Sequence, residues 1–228
     1  MSVSFKNKLG KALQILWKRP TPLIFFLWDN IRDSFFLPIL SPIWRLEAKL
    51  RGAMIGKGLF LGRPIIKLHP ESKVRLENGF TLISDQRRCS SGNLYAPCRL
   101  QTHSATSSIH LGFGVGLNGA SIVSRSRAIF IGKNTMLAPN CVIMDSPFHK
   151  LWPPEERNQY PGTDLDQDVF IGANCWIGTG CLILPGSNIG DNSVIGARSV
   201  VSGEIPPNSL AAGSPARVIR QLDESPNE

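Results

Sequence analysis

Between Met144 and Asp168 a sixfold sequence rhythm stops for 25 residues, and the interruption holds Asp145, His149, Trp152, Glu155, Glu156 and Tyr160. Loops this long inside a compact repeat are usually functional. His149 is the side chain whose imidazole titrates near neutrality, so it can take a proton from an attacking hydroxyl and hand it on. Taken alone, a loop histidine is more often a surface residue than a catalyst. Asp145, in the run DSPFH, could hold that imidazole in one tautomer as a carboxylate does in hydrolase triads. It could equally begin the turn before Ser146 and Pro147.

Thiols offer a rival nucleophile. Cysteines stand at 89, 98, 141, 175 and 181 with no CxxC pair and an odd total, which argues against a disulfide framework or a zinc ribbon and fits a reducing cytosol. Cys141, Cys175 and Cys181 fall at small positions of the repeat, so they read as packing residues rather than activated thiols. Gly114, Gly116 and Gly119 spell GxGxxG, yet they lie within the repeat with no helix to open, so a dinucleotide fold is discounted.

The elements that must position these groups are written in the period. From Ile171, every sixth residue is Ile or Val: Ile171, Ile177, Ile183, Ile189, Ile195 and Val201. Glycine follows four of them, at 172, 178, 190 and 196, and a small residue stands four places on in five. The same lattice runs upstream through Leu111, Leu117, Val123 and Ile129, then, after a slip of two, through Ile131, Leu137 and Ile143. Such hexads predict a parallel β-helix in which each hexad is one short strand and a turn, three hexads close a coil, and the apolar residue points inward. Glycine is expected at the turns for its tolerance of positive φ. Handedness does not follow from the period, because parallel crossovers are normally right-handed.

The stretch IGANCWIGTGCLILPGSNIGDNSVIGARSVVSGEIPPNSLAAGSPARVIR, with LGFGVGLNGASIV and IGKNTMLAPNCVIMDSPFH ahead of it, resembles the hexapeptide-repeat acyltransferases. Within them it is similar to the maltose, galactoside and polysaccharide O-acetyltransferases, over about residues 105–221. The resemblance implies an all-β, left-handed β-helix, a homotrimer with sites between adjacent subunits, and His149 as general base for direct attack of a sugar hydroxyl on acetyl-CoA. By residue-wise carry-over, Trp176, Gly178 and Thr179 line the pantetheine path, with Ala197 and Ser202 on the next coils. Arg217 and Arg220 meet the nucleotide phosphates. Many relatives have Lys where this chain has Gly203, and Arg198 could supply that contact. Asn118 sits near the polar residue that binds the acceptor. The expected acceptor is a sugar of a polysaccharide or lipid-linked glycan precursor; the alternative is N-acetylation of a nucleotide-linked amino sugar. The same β-helix also hosts γ-class carbonic anhydrases with three zinc-binding histidines. Here histidines stand at 69, 103, 110 and 149, and Pro154 occupies the place where a second ligand would follow His149, so no metal is expected. A silent scaffold is disfavoured by the His149 loop.

Residues 1–52 are of another kind. Lys6, Lys8, Lys11, Lys18 and Arg19 precede the first acid, Asp29, and Phe5, Leu9, Ala12, Leu13, Leu16 and Trp17 recur at helical spacing. Two apolar runs follow, Pro20 to Trp28 and Ser34 to Trp44, each shorter than the ~20 residues of a helical span. The expectation is an interfacial anchor over residues 1–46, peripheral on the cytoplasmic face of the inner membrane, rather than a helical pair packed on the trimer. No cleavable signal peptide is expected, because no small-residue site follows the first run. The formal charge of +8 and pI near 9.5 suit an anionic surface or a phosphorylated substrate; no nucleic-acid motif accompanies them. Domains are therefore expected at 1–52 and 53–221, with the active-site loop at 144–168 and a tail at 222–228.

Overall fold

The computed structural model describes residues 20–31, 37–89, 92–159 and 163–222. The basic helix expected ahead of Pro20, Arg32 and Asp33 between the two apolar runs, Tyr160 and residues 223–228 of the tail lie outside them. Short strands wind through three sheets so that every third strand returns to the same sheet, the arrangement of a left-handed β-helix. A first sheet runs from Met54–Ile55 to Glu204–Ile205 and a third from Ile65–Lys67 to Val200–Val201. The second begins at Leu59–Leu61 and ends with Ser209–Gly213 and the antiparallel Ala216–Gln221. Parallel pairing holds equivalent hexad residues in register, so they stack as columns inside the prism. On the first sheet Leu111, Ile131, Ile171 and Ile189 align. Leu117, Leu137, Ile177 and Ile195 align on the second, and Ile122, Ile143, Ile183 and Val201 on the third. Each is essentially excluded from water, and such a side chain contributes about 1.5–3 kcal/mol by burial.

Two expectations about the repeat need correction. The inward residue of the upstream lattice is Ile122, not Val123, and the slip of two marks a widened coil. There, Ser121–Ser124 and Ala128–Ile131 are four-residue strands that each bury alternate positions: Ile122 and Ser124, then Ile129 and Ile131. Nor do the glycines after the inward Ile supply positive φ. Asparagines do, at Asn134, Asn174, Asn192 and Asn208, with φ of 57°, 56°, 60° and 55°. Their short polar side chains tolerate that region, and they form a ladder along one corner: Asn134 Nδ2 donates to Asn174 (3.3 Å), Asn174 to Asn192 (3.1 Å) and Asn192 to Asn208 (2.8 Å). The glycines are there for want of room: a Cβ on Gly178 would lie 2.6 Å from the Ala197 nitrogen, and one on Gly172 2.6 Å from that of Asp191.

Among the described residues two helices precede the prism, α1 (Pro20–Ile31) and α2 (Leu37–Leu50). α2 packs on the first turn of the second sheet, where Ser41 Oγ accepts the Phe60 N–H (2.9 Å) and Ala48 is buried in the core. Glu47 pairs with both Arg51 and Arg63 at 2.9 Å, hydrogen bonds that hold its carboxyl below the usual range.

Candidate active site

The interruption at 144–168 leaves the prism between the third sheet, after Val142–Met144, and the first, before Val169–Ile171. Its root is buried and its tip exposed. Asp145 has no exposed surface, and its carboxylate takes the N–H groups of Arg125 (2.7 Å), Arg127 (2.8 Å) and Ser126 (3.1 Å) with the hydroxyl of Ser124 (3.1 Å). It therefore fills the corner of the widened coil below it. Asp166, also buried, accepts from Ser126 Oγ at 2.6 Å and lies 3.9 Å from the Arg125 guanidinium.

Phe148 then turns the chain outward. Its φ of 62° is rare for a bulky side chain, and such a backbone costs about 1–3 kcal/mol, so its surroundings must hold it. They do so from two sides: the His103 ring meets it edge-on at 5.6 Å and the Arg125 guanidinium lies over it at 5.9 Å. His149 follows, exposed, with Nδ1 3.0 Å from the Arg157 carbonyl. A carbonyl only accepts, so Nδ1 carries the proton and the Nε2 lone pair is left to act as a base. Orientation of the imidazole thus comes from the main chain of Pro154–Gln159, while the Asp145 carboxylate is held by the 124–127 turn.

The other predicted residues occupy the prism itself. Trp176 is exposed on the outer face of the second sheet. Gly178, Thr179, Ala197 and Arg198 form turns where the second sheet passes to the third; Arg198, at φ 58°, donates its N–H to Thr179 O (2.8 Å). Ser202 lies beyond Val200–Val201, at the corner from which the His149 loop leaves. Arg217 and Arg220 are exposed on the final strand. Register carries Trp176 through Val194 and Leu210 to Arg220, three strand spacings or about 14 Å. An extended chain with an anionic end fits that path. Asn118, two coils before Trp176 on the same sheet, donates to Leu137 O (3.1 Å). Within one chain, His149 and the Thr179–Arg198 turns flank opposite edges of the third sheet.

The cysteines sit where packing predicts. Cys141, Cys175 and Cys181 donate to the carbonyls of Gly178, Gly190 and Gly196 at 3.1, 3.2 and 3.1 Å. Burial raises the Cys175 thiol. Contact with Cys181, then burial, pushes Cys141 far up, and the same contact draws Cys181 down to about 7. With 1% of its surface exposed, Cys181 is nonetheless out of reach of a thioester. Among the described residues no three His, Cys, Asp or Glu side chains converge as a metal-binding group. A groove of roughly 480 Å³ lies at the other end of the prism, lined by Met54, Arg75, Glu77 and Phe113, and holds none of the predicted site residues. Sequence reasoning missed the insertion at 84–98, which brings Tyr95 out at the second-to-third corner, its N–H on Asn140 Oδ1 (2.9 Å). The signal was Asn140, a further left-handed asparagine.

The family model "Bacterial transferase hexapeptide (six repeats)" matches residues 168–203. Those residues carry the bacterial transferase hexapeptide repeat, and the chain resembles the hexapeptide-repeat acyltransferases. It is similar to the galactoside O-acetyltransferase of Escherichia coli, 40% identical over 121 residues, covering 52% of this chain and 56% of that protein. The galactoside O-acetyltransferase of Lactococcus lactis is 36% identical over 117 residues, covering 51% and 55%. The chain thus spans a little over half the length of these curated relatives. Among solved structures, the polySia specific acetyltransferase NeuO shares the hexapeptide-repeat fold with a TM-score of 0.54 at 18% identity, over 77% of this chain and 85% of that one.

Proposed function

We propose that this chain transfers acetyl from acetyl-CoA to a sugar hydroxyl of a polysaccharide or lipid-linked glycan, at the cytoplasmic face of the inner membrane. The observation that carries the reading is the His149–Arg157 hydrogen bond, which leaves Nε2 free to accept a proton at an exposed position. The acceptor hydroxyl gives its proton to Nε2 as its oxygen attacks the thioester carbonyl. The C–S bond then breaks and the proton passes to the departing thiolate, so no acyl-enzyme forms. Trp176, Gly178, Thr179, Ala197, Arg198 and Ser202 would hold the pantetheine arm, Arg217 and Arg220 the phosphates, and Asn118 the acceptor.

Because His149 and the Thr179–Arg198 turns lie at different corners of one prism, a complete site calls for the corner of a neighbour, and a homotrimer supplies it by cyclic symmetry. Light scattering is expected to read three chains; a fully active monomer overturns the shared site. Free thiol released from acetyl-CoA over a panel of glycans tests the activity. Release with a hydroxyl acceptor is expected, whereas release only with a nucleotide-linked amino sugar would make it an N-acetyltransferase.

The phosphate assignment has its own test. Arg217→Ala with Arg220→Ala should raise KM for acetyl-CoA about 10-fold or more, since a hydrogen bond to a charged group is worth about 1.5–3 kcal/mol. KM for acetyl-dephospho-CoA, which lacks the 3′-phosphate, should move far less. Equal losses with both would make the arginines structural.

A further inference from the structure

α2 carries apolar residues on both of its sides. On the side resting on the prism Ser41 and Ala48 are buried, Trp44 packs half-buried against the core, Arg45 donates to the Gly58 carbonyl, and Glu47 is tied to Arg63. The opposite side carries Ile39, Ile43, Leu46 and Leu50 at spacings of four, three and four, 54 to 80% exposed. Surface helices ordinarily turn such a stripe inward. α1 adds Ile24, Phe25, Leu27, Trp28 and Ile31, all exposed. Exposed apolar residues grouped in this way mark an interaction site.

Charge selects the occupant. Five cations, Lys6, Lys8, Lys11, Lys18 and Arg19, stand immediately ahead of α1 with no acid before Asp29, and the exposed Lys49 and Arg51 flank the outward stripe of α2. Cations beside exposed aromatic and branched apolar residues match the boundary of an anionic bilayer. None of the described helices is long and apolar enough to cross one. We infer that the α2 end of the prism docks on an anionic lipid surface, with the stripes of α1 and α2 set in the headgroup boundary. Because α2 is fixed to the first coil, the docking also sets height. Val142–Met144, which leads into the His149 loop, is the fourth strand of the third sheet counted from that end, three spacings or about 14 Å along the stack. The base therefore stands above the headgroups, where the outer sugars of a lipid-linked glycan would lie. That last step rests on the proposed acetyl transfer; the docking does not.

Flotation of the full chain on vesicles of phosphatidylglycerol with phosphatidylcholine, against phosphatidylcholine alone, tests it. The parent is expected to float with the anionic vesicles and to be loosened but not released by salt, which screens charge and leaves apolar burial. Ile43→Glu with Leu46→Glu should lower partitioning about 10-fold or more. Both positions face away from the prism, so an unchanged thermal melt is expected. Truncation through residue 46 is the poorer test, because it also removes Ser41 and Arg45 from the first coil. A parent that fails to float, or a variant that floats as well, overturns the inference. So does a variant of lower oligomeric mass whose parent does not float, which would assign the stripe to a second copy. Thiol release with a soluble acceptor should be unchanged in the variant; its absence in both proteins despite flotation would sink the acetyl-transfer reading alone.

Discussion

Replacement of His149 by alanine is expected to lower turnover about 100-fold or more while leaving acetyl-CoA affinity nearly unchanged. The effect should fall on turnover because a base acts as the hydroxyl proton moves, and of the residues assigned to the pantetheine arm and phosphates only Ser202 shares the corner from which the His149 loop leaves. The structure adds a reason to expect that the ring is already set for this role. The Arg157 carbonyl fixes the proton on Nδ1, so Nε2 is a base in the resting state and no tautomer change precedes the reaction. Steady-state kinetics with calorimetric binding separates the two quantities. Near-normal turnover in the variant would remove His149 from the mechanism. A matched loss of affinity would mean that the side chain supports the loop rather than the reaction.

Asp145→Ala should instead unfold the corner. Its carboxylate is the acceptor for three main-chain N–H groups, of Arg125, Ser126 and Arg127, at a position without exposed surface. Each buried donor left without a partner costs about 1–3 kcal/mol, so a loss on the order of 3 kcal/mol or more is expected in chemical denaturation. Asp145→Asn keeps one oxygen and should fall between. Turnover should track the fraction folded. An asparagine variant of full stability and strongly reduced turnover would return Asp145 to the catalytic role that its place in DSPFH suggested.

These two residues show where the sequence was legible. The sixfold period predicted the prism because each strand is recognised by its own inward Ile, Leu or Val, a local signal repeated in phase. The slip between Ile129 and Ile131 was visible as an irregularity, but its cause was not: the widened corner is held by Asp145 from the next coil, about 20 residues on. The loop was legible as an interruption, with His149 exposed on it. That Phe148 would take a left-handed backbone between His103 and Arg125, or that a carbonyl from Pro154–Gln159 would steady the imidazole, depends on contacts between segments that carry no shared pattern. The asparagine ladder could have been read, since Asn stands two residues after the turn position at Gly132, Gly172 and Gly190. Glycine drew attention for the wrong reason, conformational freedom in place of close approach.

The two ends of the stack remain, and they bear on polymerisation. Parallel coils present the same unpaired peptide edge at every level, so a bare prism could grow by seating one molecule on the next, as cross-β fibres do. Here neither edge of the second sheet repeats the geometry of its interior. At one, the Ser41 hydroxyl occupies the Phe60 N–H and α2 lies across the opening. At the other, Ala216–Gln221 reverses direction and pairs antiparallel with Ser209–Gly213, so an incoming parallel strand finds its place already taken. The repeat is thereby a finite object, though the sequence that builds it has no intrinsic stop.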